Sequence, residues 1–178
     1  MSKVIIHVTM TLDGFIARPN DEIDWAFKFG SDEMVDEVMK EIGAVVMGNR
    51  GFNDEGMTED RLPYGGELKV LQFVVTHHPR PPVMIGGLKF TFVSDLKQAV
   101  EQAKAAAGEK SVTLLGASID QQCLKAGLAD EIMIHLVPIL LGEGIRLFDH
   151  LGSREIELRR TEIVSTGEIT SLRFQIVK

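Results

Sequence analysis

The sequence has a single cysteine, Cys123, in 178 residues. An internal disulfide framework is therefore excluded, as is a Cys-x-x-Cys pair for structural zinc, and any redox chemistry has to be borrowed from a cofactor. Long apolar runs are also missing. No window approaches the length of a membrane span, and "MSKVIIHVTM" lacks the apolar core and small-residue cleavage site of a signal peptide. A soluble, cytoplasmic protein with no membrane partner is expected. Basic runs are absent too, and the net charge is −7, so the average surface repels a nucleic-acid backbone. An anionic ligand must be held by local donors. Neither G-x-G-x-x-G nor G-x-x-x-x-G-K-[ST] occurs, which removes the two familiar nucleotide loops. Internal repeats, linkers and low-complexity segments are likewise absent.

What is present fits one domain spanning 1–178, because 44% hydrophobic residues fill one core and the length does not call for two. "KVIIHVTMTL" is rich in β-branched residues and reads as a first strand from Lys3 to about Met10, closed by "DGFIARPND". In "SDEMVDEVMKEIG", Met34, Val35, Val38, Met39 and Ile42 recur at helical spacing. Ser31 is the expected N-cap, Asp32 and Glu33 are first-turn acids, and Gly43 is the stop. "AVVMG" is a short apolar strand of the kind buried on both faces. "VLQFVVTHHP" and "LKFTFVS" read as strands, "DLKQAVEQAKAAAG" as a helix stopped by Gly108, and "SVTLLGASIDQQCLKAGLADE" as a strand running into a helix that Gly127 closes. The tail segments "EIMIHLVPILLGEGIRLF", "EIELRRTEIVS" and "EITSLRFQIVK" read as strands without long helices between them. They suggest an antiparallel edge on a mostly parallel, helix-covered sheet.

Ligands of open α/β sheets collect beyond the carboxyl ends of the strands. Three strand ends here are polar and small: "MGNRG", "VTHHP" and "LLGASID". Unpaired N–H groups at a helix N-terminus suit a phosphate, and two such termini suit a pyrophosphate. Each end also has a plainer reading: Gly48 as a tight turn with Arg50 solvated, His77 and His78 as polar turn residues, Gly116 and Ala117 as small for packing.

The order of these elements resembles the dihydrofolate reductase superfamily, most closely the branch holding the reductase domain of riboflavin biosynthesis and its stand-alone bacterial relatives. The resemblance is carried by "TLDGFIA" (11–17), "VVMGNRGF" (45–52), "FVVTHHP" (73–79) and above all "LLGASIDQQCLKAGLADEIMIHLVPILLGEGIRLF" (114–148). It implies a three-layer α/β sandwich and a reductase that draws hydride from NADPH. Gly48, Asn49, Arg50 and Gly51 then meet the cofactor's phosphates, Thr76, His77 and His78 lie near the 2′-phosphate, and Leu115, Gly116, Ala117, Ser118 and Ile119 open the helix under the pyrophosphate. Thr9, Ile16 and Ala17 line the nicotinamide. Two departures stand out: Asn49 occupies the family's usual basic position, with Arg50 one residue later, and the paired glycines before the second helix are Leu115-Gly116. The zinc deaminase signature of the bifunctional riboflavin enzymes is absent, which excludes deamination.

Reduction of a C=N bond needs hydride and a proton. The resemblance places a carboxylate at Asp32, which as a first-turn acid is also ordinary helix electrostatics; Asp36 is one turn on. Asp13 in "LDGF" faces the cleft or makes a turn, His135 points at substrate or is internally satisfied, and Trp25 is a lid or core filler. A riboflavin precursor of the ribosylaminouracil type fits the branch, and a dihydrofolate or pterin fits Asp32. A catalytically silent nucleotide-binding module is the reading from another class. "MIHLVPILL", with Pro138 interrupting a ladder, is the expected subunit contact of a homodimer, since the reductases resembled are commonly dimers. No metal site is expected.

Overall fold

A computed structural model describes residues 2–29, 33–53 and 57–178. Eleven strands and four helices follow one another along these residues. The opening apolar run forms β1 (Val4–Thr11), and the segment read as its closing loop contains a short strand, β2 (Phe15–Ala17). Then come α1 (Glu33–Glu41), β3 (Ile42–Gly48), α2 (Asn49–Asn53) and β4 (Leu71–Val75), with 3-10 turns at Asp24–Phe27, Glu59–Arg61 and Pro63–Gly66. Next are β5 (Val83–Ile85), β6 (Leu88–Val93), α3 (Leu96–Ala107), β7 (Ser111–Leu115) and α4 (Ala117–Lys125). The chain closes through β8 (Glu131–Val137), β9 (Ile145–Arg146), β10 (Leu158–Thr166) and β11 (Ile169–Ile176).

Local chemistry accounts for α3 directly. The Asp95 carboxylate accepts from the Gln98 N–H at 2.8 Å, satisfying a first-turn donor. Ala99, Val100, Ala103 and Ala107 form its buried face, and Gly108 with φ +64° ends it. The helix expected to stop at Gly43 ends earlier, at Glu41, and Gly43 lies inside β3. A Cβ on Gly43 would stand 2.8 Å from both Cα and the carbonyl oxygen of Ala107. Close passage of the α3 terminus, rather than a helix cap, requires this glycine.

Nine strands form one sheet in the order β10-β11-β8-β1-β7-β3-β4-β6-β5, and β2 pairs with β9 in a small second ribbon. The pairs among β8, β1, β7, β3, β4 and β6 are all parallel. Antiparallel pairing begins at β11 on one side and at β5 on the other. The tail expectation is corrected in one respect. Strand β8 runs parallel to β1, because α4 supplies the crossover that a parallel neighbour needs, and only β10 and β11 are the antiparallel edge.

The sheet separates two apolar layers. Beneath α3 and α4 lie Val4, Ile6, Ala44, Val46, Val112, Leu114, Ile132 and Ile134. On the opposite face, with Val38 of α1, lie Ile5, Val45, Met47, Val74, Phe90 and Met133. Alternate residues of each central strand thus serve opposite layers, which is why these strands read as continuous apolar runs. Fully burying each of these Val, Ile, Leu, Met and Phe side chains stabilises the fold by about 1.5–3 kcal/mol.

Candidate functional site

Strands β7, β3 and β4 are lateral neighbours, so their carboxyl ends stand side by side. Gly48 is opposite Val75, and Met47 is opposite Leu115. The three polar ends singled out in the sequence, at Gly48, Thr76 and Gly116, therefore share one edge of the fold. Thr76 is held by its N–H to the Val93 carbonyl at 2.9 Å, and its hydroxyl accepts from the His78 N–H at 3.2 Å. The His77 and His78 side chains are exposed. Arg80, a few residues on, lies 4.4 Å from the Phe92 ring centroid.

Gly116 has φ +103°, a region that favours glycine, and a Cβ there would meet no atom within 4 Å. Space therefore lies open beside the N-terminus of α4. The Ile119 and Asp120 N–H groups bond the Gly116 carbonyl at 2.9 and 3.1 Å, and no side chain caps the helix. Donors at Ala117 and Ser118 are the ones a helix start leaves unpaired within itself. Such an end can hold an anion. The Ser118 hydroxyl accepts from Gln122 at 3.0 Å. Gly48 has a packing role as well: its Cβ position is 3.3 Å from Ile119 Cγ1. Leu115 is half-buried and Ile119 buried. Asn49 and Arg50 open α2, and Arg50 donates to the exposed carboxylate of Asp21 at 2.9 Å. A Cβ on Gly51 would meet nothing within 4 Å.

Thr9 is half-buried on β1, opposite His135 in register. Ile16 and Ala17 belong to the β2–β9 ribbon, which Gly144 locks: a Cβ at Gly144 would overlap the Ala17 carbonyl oxygen.

Asp13, His135 and Trp25, expected near substrate, are otherwise engaged. Asp13 accepts from the Thr11 hydroxyl at 2.6 Å and from the Gly142 and Leu141 N–H groups at 2.8 and 3.3 Å. The Thr11 bond holds its carboxyl below the usual range, and its role is to pin the loop after β8. Trp25 is 0% exposed and packs on Val137 and Ile169, so it is core filler rather than a lid. His135 is 2% exposed and bonded within the sheet face to His7 and Ser171, so it is internally satisfied. Asp32, like Ser31, lies outside the described residues, and Asp36 is exposed on α1. The subunit-contact expectation is also corrected in part. Met133 to Val137 sit in the middle of the sheet and are covered, whereas Leu140 beyond Pro138 is 71% exposed.

Sequence reasoning missed His7, Tyr64 and Asp120. His7 and Tyr64 take part in a buried polar chain described below. Asp120, in the first turn of α4, is fully buried with no hydrogen-bond partner on either carboxylate oxygen, and burial pushes its pKa up to about 8. An acid held largely neutral beneath this helix start opposes a bound anion less than a carboxylate would. Among the described residues no cluster of His, Cys, Asp or Glu suits a metal, and no helix is long and apolar enough to cross a membrane.

Residues 2–172 match the RibD C-terminal domain. The chain is 24% identical over 184 aligned positions to the uncharacterized protein YwjB of Bacillus subtilis, covering 97% of each. Its fold is that of a putative riboflavin biosynthesis protein from Shewanella sp. PV-4, with TM-score 0.76, 20% identity and full coverage of both chains. It is also that of the riboflavin biosynthesis reductase Rib7 of Saccharomyces cerevisiae, with TM-score 0.66, 14% identity and coverage of 99% of this chain and 89% of that one.

Proposed function

Because the chain belongs to the RibD C-terminal domain family, we propose that it is an NADPH-dependent reductase acting on a small heterocycle, of the 5-amino-6-ribosylaminouracil phosphate type or related to it. The single observation that carries this reading is the alignment of Gly48, Thr76 and Gly116 across three adjacent parallel strands, with open space at the start of α4. Those features fit a dinucleotide: Gly116 to Ile119 would hold the pyrophosphate, Gly48 to Gly51 the neighbouring phosphate oxygens, and Thr76 to His78 the 2′-phosphate. Thr9, Ile16 and Ala17 would flank the nicotinamide. When bound, the dinucleotide supplies hydride; the chain supplies orientation, exclusion of water and a proton.

A catalytically silent nucleotide binder is the second reading; in either, a phosphate that takes Arg50 has to displace the Asp21 carboxylate. Calorimetric titration with NADPH and NADH tests the cofactor assignment. Micromolar binding of NADPH alone, about 8 kcal/mol at 1 μM, is expected. Equal affinity for both removes the 2′-phosphate site, and binding of neither sinks the reductase reading. NADPH binding without oxidation by ribosylaminouracil or pterin probes leaves the silent binder. A homodimer in the cytoplasm is part of the same proposal, and a monomeric mass in light scattering would refute the dimer.

A further inference from the structure

On the face of the sheet covered by α1, four adjacent strands each place one polar side chain in an otherwise apolar layer. These are Ser171 on β11, His135 on β8, His7 on β1 and Thr113 on β7, none more than 7% exposed. Buried polar groups need partners, and here they partner one another. His135 Nδ1 is 2.7 Å from Ser171 Oγ, and His135 Nε2 is 2.8 Å from His7 Nε2. His7 Nδ1 is 3.0 Å from the Tyr64 hydroxyl, which is 3.1 Å from Thr113 Oγ1. The result is a continuous five-group chain across the sheet.

Three features set this chain apart from a polar patch in a core. An imidazole–imidazole hydrogen bond requires one N–H and one bare nitrogen, so His7 and His135 together hold at most one extra proton, and the donor order reverses when a proton passes along. Tyr64 occupies a left-handed conformation with φ +52° in the turn Pro63–Gly66. Non-glycine residues persist there only when the surroundings compensate, and its two hydrogen bonds do so. Tyr64 is also the one member that is half-buried rather than buried. Its partner Thr113 stands three residues before Gly116, about 10 Å along the strand from the start of α4.

We propose that Tyr64 donates the proton of the reduction and that His7 and His135 restock it. This rests on the reductase reading above. A carbon of a C=N or C=O bond that accepts hydride leaves its nitrogen or oxygen one proton short. Tyr64 gives its hydroxyl proton to that atom and takes one back from His7 Nδ1. His7 is reloaded along the chain: its Nε2 takes the proton of His135 Nε2, His135 Nδ1 takes that of the Ser171 hydroxyl, and Ser171 takes one from solvent, so the pair stays neutral throughout. Tyr64 is the catalytic residue, and His7, His135, Ser171 and Thr113 position it. Burial, aided by Asp120, keeps the Tyr64 pKa up at about 12, so the phenol passes a proton on and does not stay ionised. A neutral imidazole can release a proton from one ring nitrogen while taking one up on the other.

Among the described residues, the charged groups on this face include Glu131 on β8, Arg173 on β11 with Glu162 of β10 opposite it, Glu41 on α1 and Lys3 just before β1. Arg173 pairs with Glu41 and Glu131 at 2.7 and 2.8 Å, and Lys3 with Glu131. Asp36, Glu37 and Lys40 of α1 are exposed, and β7 contributes only the Thr113 hydroxyl.

The test compares wild type, Tyr64→Phe and His135→Asn. Ring-nitrogen NMR of the five histidines is followed from pH 5 to 9, and NADPH oxidation is measured with ribosylaminouracil phosphate and dihydrofolate as probes. In Tyr64→Phe the His135 ring signals are expected to move, although His7 stands between them. In the same variant kcat is expected to fall by about 100-fold or more with little change in KM. In His135→Asn the pH profile of kcat should change shape. Unmoved His135 signals in Tyr64→Phe overturn the chain whatever the activity, and an unchanged kcat leaves a merely structural tyrosine. A wild type that neither binds nor oxidises NADPH overturns the reductase reading and the proposal with it. Should Tyr64→Phe fail to fold, His135→Asn, remote from the strained turn, decides through the pH profile.

Discussion

Replacing Asp120 with Asn should stabilise the protein, and more so as the pH rises. The carboxyl is fully buried in the first turn of α4 with neither oxygen partnered. Strand β3 and β7, on which α4 packs, carry no ionisable side chain, and the groups that sense it are Tyr64 and Cys123, the latter pushed up to about 12 by burial. Burial lifts Asp120 from the unfolded value of 3.8 to about 8. Between those limits the native state binds a proton that the unfolded chain has released. Stability contributed by the neutral acid is therefore intact at low pH and is lost as the pH rises from about 4 to about 8. Asn keeps the shape and also lacks partners, so the burial cost of a neutral polar group largely cancels in the comparison. From pH 5 to pH 8 the variant's advantage should widen by roughly three pH units' worth, about 4 kcal/mol at 1.36 kcal/mol each. Urea denaturation of both proteins at pH 5, 6.5 and 8 measures it. A gap that stays constant across that range, or that narrows, would refute the claim that a neutral acid is locked under this helix.

Other outcomes follow from close contacts. Gly144→Ala forces a Cβ onto the Ala17 carbonyl at a φ of +151°, so the β2–β9 ribbon should detach and the melting temperature fall, with proteolysis appearing near residue 144. Gly43→Ala meets Ala107 backbone rather than a side chain that can turn aside; a loss of about 1–3 kcal/mol by denaturant melts is expected, and a neutral result would contradict the packing. Asp13→Ala frees the Leu141 and Gly142 N–H groups, which should speed their hydrogen exchange while leaving that of the β7 amides unchanged. Asp21→Ala removes the Asp21 carboxylate from Arg50 and should tighten NADPH binding by calorimetry; weaker binding would count against Arg50 as a phosphate donor.

The legible parts of the sequence were those where local chemistry decides. Helix α3 could be read from Asp95, its alanine spacing and Gly108, because cap, face and stop all lie within one stretch. The central strands were likewise legible as continuous apolar runs. Lateral order was not: β7 inserts between β1 and β3, and no residue in "SVTLL" states which neighbours it will have. The same gap hid the polar chain. Tyr64 sits in "PYGG", which reads as a turn, and its partners are 57 and 49 residues away. His135 was noticed as an interruption of an apolar strand, but its partner His7 lies in the first strand, and only the register of β1 on β8 brings them together. Nothing in "GASID" marks Asp120, because burial is a property of the finished sheet. For Asp13 the sequence leaves a cleft-facing side chain and a turn both open, because the loop that claims its carboxylate lies 128 residues on.

The placement of β1 also dictates the order in which the chain can be assembled. Val4 pairs with Val112 and Ile5 with Glu131, so β1 is translated long before either of its neighbours. At synthesis rates of 5–20 residues per second, the apolar "VIIHV" segment waits about 6 to 26 seconds for β8 to be translated. The block β3-β4-β6-β5 meanwhile has all its members. While residues 9–130 are translated this sheet-forming segment thus lacks its β8 partner, and holding chaperones and stray strand edges compete for it. Any fragment ending before Ser111 leaves that segment without either of its partners.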